Sequence, residues 1–326
     1  MLKGIKFALM AFVSLALCAI GFPAQAAYPE KPVTIIIGYG PGGGTDSVSR
    51  IMADIMSKQT KKTFIVQNVQ GAGTGLGLDK AVEAKPDGYT VFMSSSNMNI
   101  VKACGLSKYT YADLEQIGSV NFDACALMVK SDSKFKTLDD FLKYVKSAPE
   151  KINMGTSTPA GVWHMGCMRF LRRAGIEDKV NVVPNTKGGG GVNVRLLGGH
   201  VEAIFIAPNE ASSQLRNKDF RMLAIATDER APTFPDVPTF KELGINCTTL
   251  TMRGFHVPKG TPSDIKAYLA KAVKDAAESE TYKDYAKDTY SNAIYLGPEE
   301  YKKHNEKEYP DYLNLLEESG LVKKAN

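Results

Sequence analysis

A glycine-rich segment near the start of the chain carries the first residues that could bind a ligand. Residues 35–37 are three isoleucines, residues 38–44 contain five glycines and a proline, and Thr45 and Asp46 follow. This order predicts a buried strand, a tight loop and a helix that is capped by Thr45 or Asp46. The first N–H groups of a helix are unpaired and lie at the positive end of its dipole, and glycines let a ligand approach the backbone. The segment therefore predicts an anion-binding site.

Two nucleotide-binding motifs fit this segment imperfectly. Three of its glycines match G-x-G-x-x-G, but the strand predicted next, at residues 63–69, closes through Gln67 and Asn68 instead of the acidic residue that would bind a ribose. Residues 38–45 nearly match G-x-x-x-x-G-K-[ST], but Gly44 stands where the lysine belongs. A tight turn without a ligand is the third interpretation. The loop alone does not decide among the three.

Two later segments repeat the order of strand, glycine-containing loop and helix. Residues 155–161 (GTSTPAG) follow a short predicted strand and precede a helix predicted over residues 162–173. Residues 187–191 (KGGGG) precede a helix predicted over residues 192–197. Hydroxyls and free N–H groups from two such loops could hold a carboxylate between them without a catalytic base.

Residues that could catalyse a reaction are present, but they form no recognisable motif. Ser157 and His164 could act as nucleophile and base, although a histidine on a helix is more often packed or hydrogen-bonded. Asp46 could act as a general base, although at a helix start its ordinary role is capping. No G-x-S-x-G or C-x-x-C occurs and the four histidines are scattered, so no metal site is predicted. A secreted hydrolase that uses Ser157 and His164 is the alternative to a binding protein.

The first 26 residues have the features of a signal peptide. Lys3 and Lys6 precede an apolar run at residues 7–22, and residues 24–26 (AQA) form a small-residue cleavage site. The run is shorter than the roughly 20 residues that a membrane span needs. We expect cleavage after Ala26 and a periplasmic product.

Charge and location exclude several classes of function. The formal net charge is +5, which is too small and too evenly spread to indicate a nucleic-acid partner. NAD and ATP are scarce outside the cytoplasm, so no cofactor is expected. Four cysteines follow the signal peptide and could form two disulfides in any of three pairings, or could be structural: Cys104, Cys125, Cys167 and Cys247.

Predicted strands and helices alternate along the rest of the chain, which is long enough for two α/β domains. A strand over residues 89–94 ends in the polar run at residues 94–97 (SSSN), at the position where α/β sheets place ligands. Further strands are predicted at residues 124–129, 201–207, 220–226 and 248–258, and further helices at residues 78–85, 137–147, 265–279 and 299–319.

Seven motifs in order make the chain resemble the periplasmic solute receptors of the tripartite tricarboxylate transporters, the Bug family. They lie at residues 28–32 (YPEKP), 40–46 (GPGGGTD, with Arg50), 67–73 (QNVQGAG), 85–90 (KPDGYT), 196–199 (LLGG), 234–239 (FPDVPT) and 258–262 (PKGTP). Each motif alone is weak, but their order after a signal peptide is specific.

The resemblance implies a two-domain α/β periplasmic-binding-protein fold, the Venus flytrap, with the ligand cleft between the domains. We expect domain 1 at residues 27–127 and 252–326 and domain 2 at residues 128–251. The resemblance also implies a monomeric receptor, and not an enzyme, that delivers a small organic carboxylate to membrane permease subunits. A receptor that signals to a sensor kinase is an alternative that the sequence does not separate from this one.

The resemblance also implies which residues contact the ligand. The set comprises Tyr39, Gly43, Gly44, Thr45 and Asp46 from the first loop, Thr156, Thr158, Ala160 and His164 from the second, and Ser94, Ser95 and Asn97 from the floor. Lys187 and Asn209 are further candidate contacts that do not depend on the resemblance. Thr158 stands where the family usually has a glycine, so the donors of the second loop are rearranged. Lys187 and Arg253 could meet a second carboxylate or be solvated surface charges. Trp163 could belong to the core or to the wall of the cleft.

Overall fold

The structure, a computed structural model, describes residues 28–185 and 189–320. Within these ranges eleven strands form two sheets, accompanied by nine α-helices. The strands are β1 (Val33–Ile37), β2 (Phe64–Asn68), β3 (Thr90–Ser95), β4 (Leu114–Ala124), β5 (Ala126–Lys130), β6 (Ile152–Thr156), β7 (Val180–Pro184), β8 (Ala203–Ile206), β9 (Phe220–Ile225), β10 (Leu250–Pro258) and β11 (Asn292–Leu296). The helices are α1 (Gly44–Thr60), α2 (Gly75–Val82), α3 (Leu138–Ser147), α4 (Val162–Arg173), α5 (Gly189–Leu197), α6 (Ser212–Arg216), α7 (Ser263–Ala277), α8 (Glu280–Thr289) and α9 (Pro298–Ser319).

The first sheet has the strand order β11-β4-β10-β3-β1-β2. Strand β1 pairs in parallel with β2 and β3, and β10 lies antiparallel between β3 and β4. Ile36 of β1 and Phe92 of β3 are buried in one core cluster with Leu78 of α2. Because β1 and β3 are parallel, the loops that follow them start at the same edge of the sheet.

The second sheet has the strand order β7-β6-β8-β5-β9. Strand β6 pairs in parallel with β7 and β8, while β5 is antiparallel to β8 and β9. Its core includes an aromatic cluster of Phe170, Phe205 and Phe240, with ring centroids 4.9 to 5.9 Å apart. The loops after β6 and β8 also start at one edge, so residues that are about 50 positions apart in the chain become neighbours.

The chain passes between the two sheets along two adjacent segments. Only Cys125 separates β4 of the first sheet from β5 of the second, and the chain returns between β9 and β10. The N–H of Cys125 donates to the C=O of Thr249 (3.3 Å), and its C=O accepts the N–H of Ala226 (2.8 Å). Such paired crossings are typical of a hinge. The domain boundaries expected at residues 127/128 and 251/252 stay a prediction.

The last helix contacts residues of both sheets. The hydroxyl of Tyr301 lies 3.3 Å from Ser94 Oγ, near the end of β3. Further along α9, Leu315 and Leu316 pack into the core of the second sheet, and the hydroxyl of Tyr312 donates to Ser96 Oγ at 2.7 Å. The C-terminal helix therefore stabilises the junction between the sheets.

The predicted α/β alternation is confirmed, but several elements escaped prediction, including the helices α6 and α8. Strand β11 lies at the edge of the first sheet, and most of β4 precedes the strand that the sequence pattern indicated at residues 124–129. The four cysteines of the described ranges are free thiols, so neither of the two possible disulfides forms. Among residues 28–185 and 189–320, no group of acidic, histidine or cysteine side chains could hold a metal ion, and no helix has the length and apolarity of a membrane span.

Candidate functional site

A cavity of about 320 Å³ lies where the loops of the two sheets face each other. The first sheet contributes the loops after β1, β2 and β3, and the second contributes the loops after β6 and β8. Its lining includes Tyr39, Gly43, Gly44, Thr45, Thr74, Ser95, Asn97, Ser157, Thr158, Val162, Trp163, Gly189, Glu210 and Arg253.

Helix α1 points its uncapped N-terminus into this cavity. Its N-cap is Gly43, which offers no side-chain cap, so the predicted capping by Thr45 or Asp46 is wrong. The helix starts at Gly44, which is two residues earlier than a Thr45 cap and three residues earlier than an Asp46 cap would give, so Thr45 and Asp46 lie inside the first turn. A Cβ at Gly44 would lie 2.8 Å from Arg253 Nη2, so a larger residue here would have to displace that side chain. The first amides of α1 thus stay available to an anion.

Asp46 stabilises the glycine loop by hydrogen bonds and does not line the cavity. Its carboxylate accepts the N–H of Gly42 (3.0 Å), two N–H groups of Arg50 (3.0 and 2.9 Å) and the amide of Asn68 (2.9 Å). Burial opposes ionisation, but the hydrogen bonds from Arg50, Gly42 and Asn68 outweigh it and hold the pKa of Asp46 below its usual value. The carboxylate is therefore charged and fully engaged with the protein.

Two hydroxyls form the floor of the cavity. Tyr39 Oη and Ser95 Oγ are hydrogen-bonded at 2.6 Å, and burial raises the pKa of Tyr39 to about 12. The Tyr39 hydroxyl is therefore neutral, and because one hydrogen is used in the bond between the two groups, the pair has one hydrogen left to donate to an anion. Ser94 lies behind this floor, where its Oγ donates to the C=O of Gly254 (3.3 Å).

The second loop approaches the first through one hydrogen bond. Asn97 Oδ1, after β3, accepts the N–H of Val162 at the start of α4 (2.8 Å). Ser157 and Thr158 line the cavity, whereas Thr156 lies below it and donates from Oγ1 to the C=O of Phe205 (3.1 Å). The hydroxyls available from the second loop are therefore those of the two residues that follow β6.

His164 organises the second loop and has no geometry for catalysis. Its Nδ1 accepts the N–H of Ala160 (3.0 Å), whose φ of 54° lies in the left-handed region. Burial lowers the pKa of His164 to about 4. Within the part of the chain that the structure describes, no hydrogen bond joins His164 to Ser157, and neither Ala160 nor His164 lines the cavity. Lys187 lies outside the described residues.

Arg253 is buried at the wall of the cavity, so its interpretation as a solvated surface charge is wrong. The residue is 2% exposed, and it forms an ion pair with Asp123 while its Nε donates to Thr45 Oγ1 (3.1 Å). Burial alone would lower the pKa of Arg253, but the charges of Asp123 and Glu210 raise it above its ordinary value.

Asn209 does not line the cavity, and its Nδ2 donates to Asp123 Oδ2 (2.7 Å).

Glu210 is the acidic lining residue that sequence reasoning missed. It follows β8, and its Oε1 accepts the indole N–H of Trp163 (3.3 Å). Its Oε2 is buried without a hydrogen-bond partner, and burial raises the pKa of the carboxyl group. The sequence placed Trp163 either in the core or at the wall of the cleft. Its side chain does both, because it lines the cavity and packs in the core of the second sheet. The position of Glu210 shortly after the strand predicted at residues 201–207 was the signal in the sequence that could have indicated a place at the ligand cavity.

The chain matches known proteins over most of its length. Residues 48–321 match the model of the tripartite tricarboxylate transporter family receptor, TctC. The UPF0065 protein in the gbd 5′ region of Cupriavidus necator is 29% identical over 97% of this chain and 98% of its own length. Protein BugT of Bordetella pertussis is 30% identical over 82% of this chain and 83% of its own length.

Solved structures share the fold. A periplasmic transporter that is 28% identical superposes with a TM-score of 0.82 and covers 89% of this chain and 98% of its own. The periplasmic binding protein BugD (23% identical, TM-score 0.83) covers 91% and 100%, and MatC from Rhodopseudomonas palustris with bound malate (24%, 0.80) covers 89% and 100%. The chain therefore belongs to the tripartite tricarboxylate transporter receptor (TctC, or Bug) family of periplasmic solute-binding proteins and has their two-domain α/β fold.

Proposed function

We propose that this protein is a periplasmic receptor that binds a small organic carboxylate in the cavity and delivers it to the permease subunits of a tripartite tricarboxylate transporter. The uncapped start of α1 is the observation that supports this most directly. Gly43, Gly44 and Thr45 line the cavity, and no side chain caps the helix. Removal of the signal peptide after Ala26 would release the receptor as a monomer.

Binding would replace the water shell of the carboxylate with donors that are already in place. The amides of Gly44 and Thr45 lie at the positive end of the α1 dipole, and Tyr39 and Ser95 add neutral hydroxyls. Each hydrogen bond to a charged group contributes about 1.5–3 kcal/mol. No covalent step is needed, since binding and release are sufficient for transport.

The size of the cavity and one structural neighbour indicate which acids to test first. A volume of about 320 Å³ is at the small end of known ligand pockets. MatC, which shares the fold, has malate bound. Both observations favour a small acid.

Closure of the two domains would produce the form that the permease recognises. Asn97 and Val162 already connect the loops of the two sheets, and the crossing segments at Cys125 and Ala226 are hydrogen-bonded neighbours. A ligand held by both loops would favour the closed form by its differential affinity for that form.

Calorimetry against mono-, di- and tricarboxylates tests the binding step. At least one acid should bind and raise the melting temperature, and the Thr45→Ala variant should weaken that binding. If no organic acid binds or stabilises the protein, the proposed function is wrong. Incubation with ester substrates should return them unchanged, whereas turnover that depends on Ser157 would favour a hydrolase.

Delivery is tested separately with membrane vesicles that contain the permease subunits. Uptake of the radiolabelled acid should require the purified receptor. Binding without receptor-dependent uptake would contradict delivery and would favour a signalling role. Mass spectrometry of the exported protein should give an N-terminus at Ala27.

A further inference from the structure

We propose that the cavity selects monocarboxylates. The single carboxylate of the ligand would lie at the start of α1, and the rest of the ligand, which contacts the second loop, would be uncharged. A second carboxylate at that end would weaken binding. This inference rests on the proposed function, because it assumes that the cavity binds an organic acid.

The first argument is the difference in space beside the starts of α1 and α4. Both helices have a glycine N-cap without a side-chain bond. A Cβ added to Gly43, the N-cap of α1, would meet no atom of the described residues within 4 Å. A Cβ added to Gly161, the N-cap of α4, would lie 2.9 Å from the carbonyl oxygen of Thr158 and 3.1 Å from Asn97 Nδ2. An anion therefore has room at the start of α1, whereas protein atoms already occupy the corresponding space at α4.

The second argument is that the second loop uses backbone donors for its own structure. Three consecutive N–H groups donate within the protein: Ala160 to His164 Nδ1 (3.0 Å), Gly161 to the C=O of Thr158 (2.9 Å) and Val162 to Asn97 Oδ1 (2.8 Å). Pro159, which precedes them, has no N–H. The loop also lines the cavity with Ser157 and Thr158. A hydroxyl can donate or accept, so these two residues suit an uncharged amide or hydroxyl group of a ligand.

The third argument is the balance of charge in the wall of the cavity. Among the lining residues in the described ranges, two are charged, Arg253 and Glu210. Arg253 forms an ion pair with Asp123, and the charge of Glu210 also acts on it. Its positive charge is therefore already shared by two carboxyl groups. A second ligand carboxylate would lose its water shell without gaining an unshared positive charge from this wall, and burial of such a charge is costly.

The fourth argument is the apolar surface of the same cavity. Five apolar residues line it, from the loops after β2, β3 and β6 and from the start of α4: Ala72, Leu106, Pro159, Val162 and Trp163. Contact with such side chains removes apolar ligand surface from water and favours binding. A short uncharged chain therefore suits this wall better than a second charged group.

Pairs of a diacid and its half-amide provide the test: malonate and malonamate, succinate and succinamate, glutarate and glutaramate. The two members of a pair have nearly the same size and shape and differ by one negative charge at pH ~7.5. Trp163 lines the cavity and is the only tryptophan, so its fluorescence reports binding. In the best-binding pair, the wild-type protein should bind the half-amide at least about tenfold more tightly than the diacid.

The Thr158→Lys variant adds a positive charge to the second loop at a half-buried position. It should bind the diacid at least about tenfold more tightly than the wild-type protein does, while its affinity for the half-amide changes little. Thr233→Lys, at an exposed position, is the matched control and should leave the preference of the wild-type protein unchanged.

The outcomes separate this inference from the proposed function. If none of the wider panel of carboxylates binds, the proposed function fails. If carboxylates bind but the diacids bind as tightly as their half-amides or more tightly, the inference is overturned and the proposed function stands. An unchanged preference in a folded Thr158→Lys variant would also contradict the inference, because the second loop would then not contact the distal group. Should that variant fail to fold, the selectivity of the wild-type protein still decides.

Discussion

Asn97 Oδ1 accepts the N–H of Val162 at 2.8 Å, which joins the end of β3 in the first sheet to the start of α4 in the second. Helices α1 and α4 both start at the cavity, and each has a glycine N-cap without a side-chain bond. They differ in one respect, since the first N–H of α4 is bonded to Asn97. The protein thus supplies an acceptor for the first amide of α4, whereas we propose that a ligand supplies one at the start of α1.

Replacing Asn97 should separate its two roles. Asn97→Ala removes the acceptor for Val162 and should destabilise the protein by about 0.5–2 kcal/mol, as for a lost helix cap. Asn97→Asp keeps the acceptor but adds a negative charge to the cavity, so it should melt close to wild type and bind a carboxylate more weakly. Chemical denaturation and calorimetry measure both. Asn181→Ala, at an exposed position, is the control, and equal affinity of Asn97→Asp and wild type would contradict the assignment.

Asp123→Asn should destabilise the protein strongly. Asp123 is buried and accepts from Arg253, Asn209 and Ser291, so the variant leaves a buried guanidinium without its ion-pair partner. Breaking a buried pair in this way typically costs about 3–5 kcal/mol. Urea denaturation measures the change in the free energy of unfolding. Asp54→Asn, which breaks an exposed pair with Lys58, should cost at most about 0.5 kcal/mol. Similar effects from both variants would show that the pair is not important for stability.

Gly44→Ala should weaken carboxylate binding with a small loss of stability. The added Cβ would meet Arg253 Nη2 at 2.8 Å and would occupy the start of α1, where we place the anion. We expect affinity to fall at least about tenfold, because a displaced donor loses roughly 1.5 kcal/mol or more. Gly297→Ala is a control at another helix start, where the Cβ meets its nearest atom at 3.9 Å. Unchanged affinity in Gly44→Ala would remove the start of α1 from the site.

Two buried histidines should make the protein less stable in acid. Burial lowers the pKa of His164 and His256 to about 4, so the unfolded chain, with ordinary histidine pKa values near 6.5, binds more protons below neutrality. Stability is therefore greatest above pH ~6.5 and falls towards pH ~4, by up to about 1.4 kcal/mol per pH unit for each histidine. His256→Phe should remove one histidine's share of this slope between those pH values. Denaturation at several pH values tests it, and an unchanged slope would refute the assignment.

Local sequence determined the elements and the character of the first loop. A helix was predicted over residues 137–147, and α3 forms there with Thr137 as its cap, whose Oγ1 accepts the N–H of Asp140 (3.1 Å). Local sequence suffices for this helix start because a cap depends on residues within one turn. The isoleucines of β1 and the glycines after it likewise fix a strand and a loop by their own conformational preferences. The signal peptide was also predicted from local composition, and its cleavage stays a prediction.

Tertiary structure decided which polar residues reach the cavity. The expected contacts Asp46, Ser94, Thr156, Ala160, His164 and Asn209 do not line it, while seven others from the same prediction do: Tyr39, Gly43, Gly44, Thr45, Ser95, Asn97 and Thr158. Neighbouring residues in a strand or loop point in different directions, so spacing alone could not separate Ser94 from Ser95.

The pairing of Arg253 with Asp123 shows most clearly what the sequence could not settle. The two residues lie 130 positions apart and meet because β10 inserts beside β4. Glu210 reaches the same cavity from the second sheet, through the parallel pairing of β6 and β8. Sequence determines the chemistry of each loop because its causes are local, whereas strand order brings distant charges together and decides which of them a ligand meets.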